Sequence, residues 1–197
     1  MDFLEAHKEP LEKAVYFKMA DLMNADVDLL FYDTTSLHFE VDDDALEAAD
    51  RAALFKTFTK VLAQRHGLMA TFMAKWSNDY PGQSGHLHVS LKRADGQPVF
   101  HDASKPDEMS DEMRWFIGGQ QALMPELLSM VACTVNSYSR LVPGYWAPTS
   151  ATWGIENRTT ALRVIKGGPH SQRVEYRIAA ADINPYIALA AAIGSGL

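Results

Sequence analysis

Asn136 to Arg163 reads NSYSRLVPGYWAPTSATWGIENRTTALR. The stretch gathers Arg140, Arg158 and Arg163 in a chain whose formal net charge is −7. Arginines that cluster against the overall charge balance are suited to holding an anion, because the planar guanidinium fork matches carboxylate and phosphate geometry. Between Arg140 and Arg158 lies LVPGYWAP, residues 141–148, with Gly144 between Pro143 and Pro148 and two aromatics, Tyr145 and Trp146. Prolines stiffen such a loop at its ends and glycine frees its tip, the build expected of a flap over a site.

Toward the C-terminus, Arg173-Val174-Glu175-Tyr176-Arg177 alternates polar and apolar residues. At the two-residue period of a strand, Arg173, Glu175 and Arg177 share one face, with Val174, Tyr176 and Ile178 behind. A carboxylate flanked by guanidinium groups stays ionised and can bind a cation while its neighbours hold anions. An exposed salt-bridge row fits the same pattern. Asn184-Pro185 caps a final helix over 186–193. On the N-terminal side, HLHVSLK repeats the alternation: His86, His88, Ser90 and Lys92 on one face, Leu87, Val89 and Leu91 on the other. An H-x-H in a strand fits either a metal site or hydrogen-bonded structural histidines.

Around these motifs, Leu54, Phe55, Phe58, Val61 and Leu62 line one face of a helix that His66-Gly67 should end. Residues 68–73 read as a strand, and Ala94-Asp95-Gly96 as a hairpin turn leading to 98–100. Ser110 is the expected N-cap of a helix beginning Asp111-Glu112, Gly118-Gly119 loosen it, and Pro125 opens the next. Trp115, Phe116, Leu123, Leu127 and Leu128 read as core.

Hydrophobic residues make up 47% of the chain and charged ones 22%, which describes a globular protein with enough material for a core. The acidic balance argues against general nucleic-acid affinity. The single cysteine, Cys133, excludes an intrachain disulfide and a cysteine-rich zinc site; its apolar surroundings predict a buried, inert thiol. The N-terminus is charged and amphipathic, unlike a signal peptide, and the longest apolar run, 186–193, is too short to span a bilayer. A cytoplasmic location and no membrane partner are expected.

From about Ala45 onward the motifs resemble the catalytic domain of the glutamine synthetase family. That family's patterns read F-M-x-K, a Gly-containing loop, H-x-H and S-L; then N-S-Y-x-R-L-V-P-G-Y/F-x-A-P, W-G-x-x-N-R, a closing Arg, R-I-E-x-R and A-N-P-Y. The resemblance implies an α+β fold, an antiparallel sheet with packed helices forming an incomplete catalytic domain over 45–197. It implies a ligase that uses ATP and Mg2+ (or Mn2+) to join glutamate to ammonia or another amine through γ-glutamyl phosphate. By the same resemblance His86 and Glu175 are metal ligands, and His88, Ser90 and Arg163 contact the nucleotide. Arg140, Gly82 and Arg177 bind substrate, Arg158, Arg163 and Arg177 act in catalysis, and 141–148 forms part of a lid. Where ammonia-using members carry a lid Glu, this chain has Trp146, which cannot serve as a base. The family forms homo-oligomers, and its small N-terminal domain and earlier metal-binding strands are not among the matched motifs, so an impaired ligase is expected.

Residues 1–44 read differently. A helix is expected over 4–23 and a strand over 27–32 ending at Asp33, and Asp42-Asp43-Asp44 forms an acidic junction. DVDLLFYDTTSLHFE resembles the strand bearing the first aspartate of insertion-sequence transposases with a DDE carboxylate triad, which implies a chimera with a boundary near residue 45. A non-catalytic remnant, or a nucleotide- or small-molecule-binding module, is the alternative function; a transposase fragment is the third.

Overall fold

The computed structural model describes residues 45–197. The expected helix over 4–23, the strand ending at Asp33 and the acidic junction at 42–44 lie outside the described residues. Those described fall into two compact units, 57–70 in one and 45–56 with 71–197 in the other. In the first, helix α1 (Ala45–Arg65) ends where expected: Gly67 takes φ +68°, and Leu68 N–H donates back to Ala63 O at 2.9 Å. Glycine pays no Cβ penalty for that left-handed turn.

The second unit is built on a four-stranded sheet ordered β1 (Leu87–Val89), β4 (Arg173–Tyr176), β3 (Leu162–Ile165), β2 (Trp153–Ile155). β4 pairs antiparallel with both β1 and β3, whereas β2 and β3 run parallel. The sheet is therefore mixed, and the expectation of a purely antiparallel one is corrected. The reason is local. Asn157 Oδ1 accepts from Thr159 N–H at 2.9 Å and Thr160 Oγ donates to Asn157 O at 2.8 Å, folding 156–161 into a tight loop. That loop carries the chain back beside a strand of only three residues, so a long crossover is not needed.

One face of the sheet is apolar. Leu87, Val89, Val174, Tyr176, Leu162 and Val164 point into a core completed by the two long helices of this unit, α2 (Asp111–Val131) and α4 (Pro185–Gly194). Both helices start as the sequence indicates. Ser110 Oγ accepts from Met113 N–H, and Asn184 Oδ1 from Tyr186 N–H at 3.0 Å. Between them, α3 (Val135–Ser139) opens with a capping box formed by Thr134 and Ser137.

Several expectations are corrected here. α2 runs unbroken through Gly118, Gly119 and Pro125. Buried Phe116, Ile117, Gln120, Met124 and Val131 hold it on both sides of the proline, and packing of that kind outweighs local propensity. Trp115, 70% exposed, and Leu123 face away from the core. In α1 the buried positions are Ala48, Ala49 and Ala52, while Leu54 is exposed. Residues 68–73 form no strand, since none of them joins a ladder. Cys133 is exposed, because the chain has already left α2 at Ala132. No helix among the described residues is long and apolar enough to cross a membrane.

Gly118 and Gly119 give a paired test of this packing. A Cβ on Gly119 would lie 2.3 Å from Ser195 O at the end of α4, whereas one on Gly118 meets nothing within 4 Å. Gly119→Ala should cost about 2 kcal/mol by overpacking. Gly118→Ala should gain roughly 0.5–1 kcal/mol from helix propensity. Urea midpoints that move in opposite directions are expected; equal shifts would mean that α2 and α4 do not meet there.

Candidate active site

The opposite face of the sheet is polar, and Glu175 is at its centre. In the β1–β4–β3 register His88 and Arg163 lie directly across from Glu175, one on each side. Glu175 is 3% exposed. Its Oε1 accepts from Arg177 Nη1 at 2.8 Å and lies 2.9 Å from His86 Nδ1; Oε2 accepts from Arg163 Nη1 at 3.2 Å. His88 Nε2 stands 3.9 Å from Oε1, and its Nδ1 takes a hydrogen bond from Arg173 Nε at 3.1 Å. Period-two alternation on two neighbouring strands is what aims these groups at one point.

Burial alone would raise the Glu175 carboxyl, but His86 when protonated and the charge of Arg177 hold it down to about 2. Burial lowers His86 more than the Glu175 contact raises it, so the ring is neutral near pH 7. The His86 Nδ1 contact with Glu175 has the distance but not the directionality of a hydrogen bond. An ionised carboxylate beside a neutral imidazole nitrogen is a donor pair of the kind that divalent cations take. The pair fits part of a shell: among the described residues no group of three His, Cys, Asp or Glu side chains forms a fuller one.

Arg163 is held from its other side by Glu156, whose Oε2 accepts from Nη2. Arg177 reaches in the opposite direction, from Glu175 to the flap, donating through Nη2 to Trp146 O at 3.2 Å. The flap turns through Gly144 at φ +89° and Trp146 at φ +57°, leaving the indole 68% exposed. Arg158 is exposed, and among the described residues it makes neither a hydrogen bond nor an ion pair. Ser90 follows β1, half-buried, with no hydrogen bond from its hydroxyl among the described residues.

Arg140 is placed apart from this cluster of groups. It is 4% exposed, and Nη2 donates to the carbonyls of Arg177, Ile178 and Ala179 at 3.1, 2.7 and 3.0 Å. Burial, with Arg177 nearby, brings its pKa down to about 10. Gly82 lies against it: a Cβ there would meet Ala74 O at 2.4 Å and Arg140 Cγ at 2.6 Å. Asn136, four residues earlier, exchanges two hydrogen bonds with the backbone of Lys75. The 5%-exposed Lys75 in turn donates to Tyr80 O at 2.6 Å and stands 4.1 Å above the Tyr145 ring. Sequence reasoning assigned no role to Glu156 or Lys75. Glu156 reaches Arg163 through backbone at φ +50°, which no spacing rule reveals.

A strand-borne histidine–glutamate pair with guanidinium groups around it offers donors suited to a divalent cation and an anion. Comparison with known proteins makes the class specific. The model of the glutamine synthetase catalytic domain matches residues 6–197, and the chain belongs to that family. It is 53% identical over 154 residues to type-1 glutamine synthetase 2 of Dictyostelium discoideum, covering 78% of this chain and 29% of that one. Gamma-glutamylputrescine synthetase of Escherichia coli K12 is 42% identical over 149 residues, 76% of this chain and 31% of that one. Glutamate–isopropylamine ligase of a Pseudomonas species is 43% identical over 155 residues, 79% of this chain and 34% of that one. The chain thus spans about a third of the length of these curated relatives. The matched span includes 6–44, and nothing supports a transposase segment there. The resemblance that suggested one rested on the short stretch DVDLLFYDTTSLHFE alone, in which an Asp after an apolar run and before two threonines also reads as an ordinary turn.

The placement of Arg140 predicts a stability defect. Arg140→Met should lose about 3–5 kcal/mol, because the buried carbonyls of Arg177 and Ile178 lose the donor Arg140 gives them, while Ala179 O keeps Gly85 N–H. Thermal or urea unfolding measures it; a variant as stable as the parent would show that these bonds carry little.

Proposed function

We propose that this chain carries the strand-borne half of an ATP-dependent glutamate–amine ligase site. The observation that supports this most directly is Glu175, ionised and buried between neutral His86 and two guanidinium groups on one sheet face. His86 and Glu175 would hold Mg2+ or Mn2+, which supplies charge neutralisation for the phosphates of ATP. Arg163 and Arg177, fixed on Glu175, offset negative charge that builds on the transferred phosphoryl group, and the exposed Arg158, which has no partner among the described residues, adds its own. His88 and Ser90 face the nucleotide. Arg177, with Gly82 and Arg140 behind it, forms the wall for the glutamate side chain, whose carboxylate takes the γ-phosphoryl group. An amine then displaces phosphate from the acyl phosphate beneath the flap, which excludes water.

The acceptor is an alkylamine in this reading. An indole at Trp146 offers an apolar, cation-attracting wall and no base. The names of two relatives, a glutamylputrescine synthetase and an isopropylamine ligase, support it. A nucleotide-binding module without turnover is the second reading, favoured by the partial donor shell of the described residues.

Calorimetric titration with ATP and magnesium tests the first reading. Saturable binding is expected with a dissociation constant on the order of 10–1,000 μM, in the range usual for enzyme substrates. The magnesium-dependent part should be lost in His86→Ala. Binding that needs neither magnesium nor His86 would overturn the site. Phosphate release that requires glutamate and an amine separates the ligase from the binding module.

In a ligase carrying this flap, Trp146→Glu should raise kcat/KM for ammonia relative to an alkylamine by roughly tenfold, since discrimination resides in that ratio. Should Trp146 serve only to anchor the loop, both rates would fall together and the ratio would stay fixed.

A further inference from the structure

Glu156 has no part in the chemistry above, yet the chain holds it in a costly conformation. Its φ of +50° lies in the left-handed region, which a residue with a long side chain occupies at roughly 1–3 kcal/mol of strain. The backbone is pinned there by Glu156 N–H donating to Val164 O at 2.9 Å. From that position the side chain turns back over β3. Its Oε1 accepts from Lys166 N–H at 2.9 Å and its Oε2 from Arg163 Nη2. One carboxylate therefore ties the end of β3 to the guanidinium that β3 presents.

The consequence falls on Arg163. Its Nη1 is bound to Glu175 and its Nη2 to Glu156, so the fork is split between two carboxylates. An arginine left with one carboxylate tends to pair with it through both arms. Without Glu156, both arms of Arg163 would be drawn onto Glu175. As placed, three of the five N–H groups of Arg163 carry no bond to a described residue, including the buried Nε.

We propose that Glu156 is the positioning residue of Arg163: it holds the guanidinium off a two-armed pairing with Glu175 and presents the second N–H of each terminal nitrogen to a phosphate. The proposal rests on the reading of Arg163 as a nucleotide contact. The carboxylate is required because both of its partners are donors; an amide would set an NH2 group against one of them.

Two measurements on the full chain test it, with Glu156→Gly and Glu156→Gln. Glycine adopts φ +50° without strain, so it removes the side chain without adding backbone strain, and glutamine keeps the side chain's length. The first measurement is ligand-free: modification of Arg163 by phenylglyoxal, followed by peptide mass spectrometry. Release of Arg163 from its clamp should change its reaction rate about fivefold or more in the glycine variant, with glutamine between it and the parent, because a charge-assisted hydrogen bond is lost. An unchanged rate overturns the proposal whether or not the chain binds nucleotide. The second is MgATP affinity, expected to weaken about tenfold in the glycine variant, the factor that one such bond is worth. Tighter binding would make Glu156 a competing anion and overturn the positioning role. A parent chain that binds no MgATP would sink the ligase reading, and the modification rates alone would then decide whether the clamp exists.

Discussion

A buried carboxylate sets the terms for the rest of this structure. Glu175 is 3% exposed, and an isolated charge at such a place would cost several kcal/mol. It is tolerated because partners converge on it from three strands: His86 from the start of β1, Arg163 from β3 and Arg177 from the end of β4. Neither the His86 nor the Arg163 contact survives a one-residue slip, since that would turn every side chain of the slipped strand to the other face. The same register places Leu87 and Leu162 on either side of Tyr176 on the apolar face. Core and site thus specify one alignment from opposite sides of the sheet. A pairing of this kind contributes more to uniqueness than to net stability, because desolvation consumes much of what the ion pairs gain.

Around that centre, polar groups take on work that the sheet leaves undone. After β4 the ladder is interrupted before the Ser84–Ala180 bridge, and Arg140 donates to the carbonyls at 177–179 there, with Ala179 O also accepting from Gly85 N–H. Gly82 is small because Arg140 passes there. Asn136 and Lys75 extend the same ties to the loop at 75–80 and, through the Tyr145 ring, to the flap. The stretch 136–163 is therefore dense in motif residues for two separate reasons, some holding loops in place and others facing the site.

That division explains what could be read in advance. Alternation in 86–90 and 173–177 revealed the polar face, because strand period translates directly into side-chain direction. The caps at Ser110 and Asn184 were legible for a similar reason: the hydrogen bond lies within three residues of the signal. Arg140 looked like an anion grip because guanidinium chemistry is the same whether the acceptor is a phosphate or a backbone carbonyl. The parallel course of β2 and the unbroken α2 were hidden, one depending on a loop closed by Asn157 and Thr160, the other on tertiary packing around Pro125. Glu156 escaped notice because its reach depends on a positive φ.

Arg177 connects the two halves of this arrangement. One arm holds Glu175 and the other holds Trp146 O, so a single guanidinium spans the buried carboxylate and the strained tip of the flap. A carbonyl is a weaker acceptor for guanidinium than a carboxylate or phosphate oxygen, by roughly a factor of two. An anion arriving beside Glu175 therefore competes favourably for the Trp146 arm and less so for the Glu175 arm. Trp146 O would then give up the bond it accepts at its left-handed turn. The buried carboxylate and the backbone of Trp146 are thus joined through one side chain. The tether runs between elements far apart in sequence, which is why neither the flap motif nor the strand motif discloses it alone.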